Sequence, residues 1–170
     1  MMPFVADGAV ITAKFTKAEA FMLADLCSQL IDMLEEREST DAAGDMLYAQ
    51  LGIGGPSTPP LDPALARLLP DAYRGDEEAA SDHRRLTERG LVERKVASAR
   101  AVIASLDDRR VRLDAAAVNS WLRTLTDLRL VIAARLQIEV DGDEGVGDEN
   151  MLMLYDWLGY LQGTLLEAFE

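Results

Sequence analysis

The stretch WLRTLTDLRLVIAARL, residues 121–136, decides how this chain is expected to fold. On a helical wheel of about 100° per residue, the large apolar side chains gather on one side. They are Val118, Trp121, Leu125, Leu128, Ile132 and Leu136. Arg123 and Asp127 fall on the opposite side as an i, i+4 pair, and few other polar residues accompany them. We therefore expect a central helix that its neighbours cover on most sides.

Arg129 lies at the edge of this apolar stripe. A buried guanidinium is costly unless a carboxylate and hydrogen-bond acceptors meet it. We therefore predict a buried ion pair with an acid on a neighbouring helix, for which Glu88 and Asp156 are the candidates. The alternative is an anion-binding pocket at Arg129. The structural ion pair is favoured because no second catalytic group can be identified.

A small β-hairpin is expected before the first helix, at about residues 3–15. Strand-forming residues flank the turn-forming pair Asp7-Gly8. Thr16 and Glu19 then form a capping box, which marks the start of a helix. Farther along, residues 110–113 are a candidate third short strand beside the hairpin.

Helical periodicity accounts for most of the remaining chain. The expected helices span about residues 17–38, 42–51, 63–69, 77–106, 115–138 and 149–168. Asp114 is the expected N-cap of the central helix, and the last helix is expected to bury Met151, Leu154, Leu158, Leu161 and Leu165. Residues 51–63 are rich in Pro and Gly and form a loop. The fold class is mainly α: a single-domain helical bundle (1–170) with a small N-terminal β-hairpin.

Composition restricts the function classes. The 170 residues include 17 basic and 30 acidic ones, for a net charge of −13, which repels nucleic acids and acidic membranes. No apolar run approaches the roughly 20 residues of a membrane span, and the N-terminus does not resemble a secretory signal. A single cysteine excludes an internal disulfide, and a single histidine excludes a Cys/His zinc site. We expect a cytoplasmic protein.

Four features that invite a chemical interpretation have simpler explanations. LGIGGPST, residues 51–58, lacks the third glycine of a dinucleotide-binding loop and the GK[ST] of a P-loop. DGDEGVGDEN, from Asp141, departs from a calcium loop at Val146 and Leu152. Cys27 lies on an apolar helix stripe, which indicates core packing, and His83 is expected on the surface. We assign no catalytic, cofactor-binding or metal-ligating residue.

Charge is distributed unevenly along the chain. Residues 84–112 hold nine of the 17 basic residues against four acids, so this segment is net +5 and the remainder is net −18. The segment could pair with the protein's own acids, bind a protein partner, or bind DNA, and we rank the three in that order. No aromatic residue accompanies the charges, which disfavours stacking on single-stranded nucleic acid. The candidate partner-binding residues are Arg84, Arg85, Arg89, Arg94 and Lys95.

Several segments together resemble an actinobacterial family long catalogued as a domain of unknown function, which includes an actinomycete oxidative-stress regulator. They are FVADGAVITAKF, DPALARLLPDAY, RRLTERGLVERKVASARAV, VNSWLRTLTDLRLVIAARL and YDWLGYLQGTLLEAF. The resemblance implies a regulator that acts through protein contact, with a sigma factor or RNA polymerase as the partner. Switching in that regulator involves a cysteine pair. Cys27 stands alone here, so no redox site is carried over.

Three functions remain open at this stage. The leading one is a non-enzymatic cytoplasmic interaction protein that regulates transcription or a stress response through protein contacts. Charge reversal at Arg94 and Lys95 should then weaken partner capture without unfolding the protein. The alternatives are a DNA-binding regulator of winged-helix type, which the net charge disfavours, and a small-ligand-binding protein with a pocket near Arg129. A homo-oligomer also stays open, and no cofactor is expected.

Overall fold

The computed structural model describes residues 1–41, 55–140 and 142–170. The expected helix at 42–51 and the first part of the Pro/Gly-rich loop lie outside these residues. Residues 55–62, the rest of that loop, contain no helix or strand, as the sequence predicts.

Three short strands form an antiparallel sheet in the order β1-β2-β3. They are β1 (Met2–Asp7), β2 (Val10–Lys14) and β3 (Arg110–Leu113). Gly8 turns the hairpin with a φ of 63°, a left-handed conformation that glycine adopts readily. Ile11 is paired with Leu113, and Lys14 is paired with Arg110. The structure therefore confirms both the N-terminal hairpin and the third strand.

The described helices begin and end close to the predicted positions. They are α1 (Lys17–Asp41), α2 (Pro63–Leu68), α3 (Glu77–Ser105), α4 (Ala115–Arg135) and α5 (Glu149–Phe169). The predicted capping box forms, because the Thr16 amide donates to Glu19 and the Glu19 amide donates to Thr16. The Asp114 carboxylate accepts from the Ala117 amide at 2.8 Å and caps α4. None of the described helices combines the length and apolarity that crossing a membrane requires.

Helix α4 is central, as the opening stretch predicts. It packs against α2, α3 and α5 and less extensively against α1, while α1 packs mainly against α3 and β1 packs against α5. Trp121 joins the helices to the sheet, since its ring lies 5.3 Å from that of Phe4 and 5.8 Å from that of Phe15. Sheet and helices thus share one hydrophobic core.

The prediction for the last helix was wrong at its start. Leu158, Leu161 and Leu165 are fully buried, but Met151 is 36% exposed and Leu154 is only half-buried. Helical spacing correctly places these residues on one face of α5. It does not show how far along that face the neighbouring elements reach. The residues of this face are fully buried only from Leu158 onward.

Candidate functional site

The inner face of α3 carries a buried network of charges. The Glu88 carboxylate is 3% exposed and accepts hydrogen bonds from two arginines, Arg84 one turn earlier and Arg37 of α1 at 3.0 Å. Arg84 also donates to the Asp71 carboxylate at 2.7 Å and to the Leu69 carbonyl at 3.1 Å. Its side chain is 5% exposed. The assignment of Arg84 to a partner-binding surface was therefore wrong, because the side chain is buried and its guanidinium is held by Glu88 and by the segment after α2.

A second internal pair joins α3 to α4. Lys95 Nζ lies 2.6 Å from Asp127 Oδ1, and the Asp127 side chain is 5% exposed. Burial raises the pKa of Asp127, and the Lys95 ammonium partly opposes this effect. Asp127 thus faces α3 rather than solvent, and the expected pair between Arg123 and Asp127 does not form. Lys95 is engaged in this pair with its side chain 17% exposed, so its assignment to partner binding stays a prediction, and reversing its charge would also disrupt the pair.

Arg129 does not form the predicted ion pair. Its Nη1 donates to the Gln162 side chain at 2.9 Å, and its guanidinium carbon lies 4.7 Å from the centre of the Tyr155 ring. Gly159 lies beside this guanidinium, and a Cβ there would make an ordinary van der Waals contact with Arg129 Cζ at 3.5 Å. Of the two candidate acids, Glu88 belongs to the buried network and Asp156 is exposed. A neutral amide and a cation–π contact replace the expected carboxylate.

The remaining α3 candidates lie on a surface that we call the α3 outer face, formed by the exposed Leu86, Arg89 and Arg94 with the half-buried Arg85 at its edge. Arg89 pairs with Glu93 at 3.2 Å, but both side chains are 61% exposed, so the pair contributes little to stability. Arg85 and Arg94 form no ion pair with any described residue. Leu86 is 71% exposed. This face offers basic side chains and an apolar one to solvent.

A second basic surface, which we call the basic corner, lies where α3 leads into β3. It is formed by Lys14, Arg109, Arg110 and Arg112, all of them exposed. Together with Asp108 they line an open concavity of about 520 Å³. The sequence identified the arginines only as part of a long basic segment. Lys14 was missed because it is far from the arginines in sequence, and only the register between β2 and β3 brings it beside them.

The lone cysteine and histidine lie where the sequence predicts. Cys27 is fully buried, and burial raises the pKa of its thiol to about 12, which disfavours the reactive thiolate. His83 is exposed and its ring meets the edge of Tyr73 at 5.6 Å. His83 Nδ1 lies 3.2 Å from the Thr87 hydroxyl one turn later, but that hydroxyl also donates to the His83 carbonyl at 2.8 Å, and no other hydrogen bond among the described residues orients the ring.

The acidic connection between α4 and α5 is held by its own backbone. The Asp143 carboxylate accepts from the amides of Glu139, at 2.9 Å, and Val140, at 3.1 Å. These two hydrogen bonds lower the pKa of Asp143. In the part of the chain that the structure describes, no three acidic, His or Cys residues are grouped as a metal site would require.

These features define a class of protein: a mainly helical domain with a small sheet, in which buried ion pairs lie between packed elements and basic side chains are exposed on two surfaces. Residues 1–169 match the family described as Domain of unknown function (DUF2017), and the chain belongs to this family.

Two mycobacterial relatives carry functional names. "Oxidative stress regulator AosR" of Mycobacterium tuberculosis is 29% identical over 94% of this chain and 82% of its own length. A Mycobacterium leprae protein that bears the same name provisionally is 34% identical over 88% of this chain and 78% of its own length. No solved structure matches the chain. The relatives thus support a regulatory role at the level of the family.

Proposed function

We propose that this protein is a non-enzymatic cytoplasmic regulator of a stress response that acts by binding another protein. The match to relatives named as oxidative stress regulators, over most of both chains, carries this proposal. The buried charges support it in a different way. The Arg84–Glu88 and Lys95–Asp127 charges are matched inside the protein, which favours a structural role for them over a catalytic one.

The proposed partner is a component of the transcription machinery, a sigma factor or RNA polymerase, as the family resemblance implies. The proposed contact surface is the α3 outer face. Its exposed leucine supplies an apolar contact, and its arginines favour an acidic partner surface. Cys27 is the single cysteine and is buried, so the contact is not controlled by an intramolecular disulfide.

The test is affinity capture of the tagged protein from a lysate of its own cells, read by mass spectrometry. The variant R89E/R94E reverses two charges on the α3 outer face without touching either buried pair. We expect the wild type to enrich a sigma factor or RNA polymerase, and the variant to recover about tenfold less, equivalent to ~1.4 kcal/mol.

The matched control is K14E/R110E, which makes the same change in net charge at the basic corner. It should recover the partner as the wild type does. If the wild type enriches no transcription protein, the proposed function is wrong. If both variants lose the partner equally, net charge rather than the α3 outer face determines the interaction.

A further inference from the structure

The basic corner contains an arrangement that is unfavourable for the protein by itself. Lys14 and Arg110 are direct cross-strand partners on β2 and β3, and Arg112 follows two residues later on the same exposed face. Like charges directly opposite each other destabilise an antiparallel pair. None of the corner's four cations forms an ion pair with a described carboxylate. The repulsion is therefore not relieved within the described chain.

Arg109 adds a second unfavourable feature. Its φ is 56°, in the left-handed region that residues other than glycine seldom adopt. Both of its backbone groups are fixed, since its amide donates to the Leu106 carbonyl and its carbonyl accepts from the Phe15 amide at 2.8 Å. Strained residues of this kind cluster at ligand-binding sites. The left-handed backbone conformation of Arg109 places its guanidinium at the rim of the concavity.

We infer that the basic corner binds a compact oligophosphate, a group of two or more linked phosphates. Four cations and one carboxylate line the open concavity, whose volume of about 520 Å³ is within the range of small-molecule sites. The ligand must therefore present several negative charges in a small space. Arginine forks match phosphate oxygens in pairs.

The lining also distinguishes the ligand class. It contains no aromatic or aliphatic residue that could anchor a protein partner or stack on a base. Recognition therefore depends on the phosphates. These could belong to a free oligophosphate metabolite or to a nucleic-acid backbone, and the net charge of −13 disfavours a long polyanion. This inference does not depend on the identity of the protein partner.

The test is calorimetric titration of the full chain with inorganic tripolyphosphate. R110Q/R112Q removes two corner charges, and R89Q/R94Q is the matched control on α3. We expect binding to the wild type and the control within about twofold of each other, and about 100-fold weaker binding to R110Q/R112Q. No binding to the wild type, or equal loss in both variants, would overturn the inference.

Two further ligands separate the possible sources of negative charge. A short DNA duplex that binds tighter than tripolyphosphate, with steep salt dependence, would assign the phosphates to nucleic acid. A glutamate oligomer of matched charge that binds as tightly as tripolyphosphate would refute phosphate recognition.

Thermal unfolding checks the folding of every variant and gives a second readout. Tripolyphosphate should raise the melting temperature of the wild type and the control but not of R110Q/R112Q. In the absence of ligand, R110Q/R112Q should be at least as stable as the wild type, because the substitution removes the cross-strand repulsion. A less stable variant would contradict the argument from repulsion.

Discussion

Replacing Glu88 with glutamine should destabilise this protein far more than replacing an exposed glutamate on the same helix. The carboxylate accepts hydrogen bonds from Arg84 and Arg37, whose side chains are 5% and 13% exposed. Glutamine keeps the size of the side chain but removes its charge. Arg84 would keep its pair with Asp71, but both guanidinium groups would lose the buried carboxylate that they share.

The magnitude follows from the burial. Removing one partner of a buried ion pair costs about 3–5 kcal/mol, because the remaining charge loses its buried counterion. A domain of this kind is stable by roughly 5–15 kcal/mol in total. One kcal/mol corresponds to about 2–4 °C in melting temperature at this chain length. We therefore expect Glu88→Gln to lower the melting temperature by about 6–20 °C.

The assay is urea unfolding followed by circular dichroism, with Glu93→Gln as the control. Glu93 lies on the same helix and also pairs with an arginine, but both side chains are 61% exposed. Its substitution should change the free energy of unfolding by about 0.5 kcal/mol or less. Equal effects of the two substitutions, or a loss below about 1 kcal/mol at Glu88, would refute the reasoning from burial.

Two further predictions concern the other ion pairs. Asp127→Leu alone should lower the free energy of unfolding by about 3 kcal/mol, whereas that of K95M/D127L should lie within about 1 kcal/mol of the wild type. Urea unfolding of the single and double variants tests this, and additive effects would contradict an interaction between the two side chains. The Arg135 hydrogen bond lowers the pKa of Asp62 below its ordinary 3.8, so the stability from this pair is complete above that value and is lost as pH falls through the lower, folded-state pKa. Asp62→Asn should remove that part of the loss of stability at low pH. Urea midpoints measured over a pH series would then fall less steeply in acid than those of the wild type. An unchanged fall would exclude the pair as its cause.

Local patterns were sufficient to predict most of the described fold. The turn at Gly8 and the capping box at Thr16 and Glu19 each depend on neighbouring residues only. The sequence of α4 predicts its central position because apolar residues occupy nearly all of the helix surface and must be buried by neighbouring elements. The length of α5 that neighbouring elements bury was not predictable, since it depends on where those elements end.

The charged residues were harder to predict because their partners lie far away in sequence. A helical wheel places Asp127 opposite the apolar stripe, but it cannot show that α3 brings Lys95 to that side. It places Arg129 at the edge of the core, but it cannot show that Tyr155 and Gln162 replace a carboxylate. The basic corner depends on the pairing of β2 with β3. Sequence therefore indicated which residues mattered and did not reveal their partners.

The central claim is that this protein acts by binding a transcription protein. The most direct measurement is capture of the wild-type chain from its own cell lysate, performed in parallel under reducing and oxidising conditions. We predict enrichment of a sigma factor or RNA polymerase, to the same extent in both, because Cys27 is buried and its thiol pKa is raised to about 12. Recovery of the chain alone would contradict the claim.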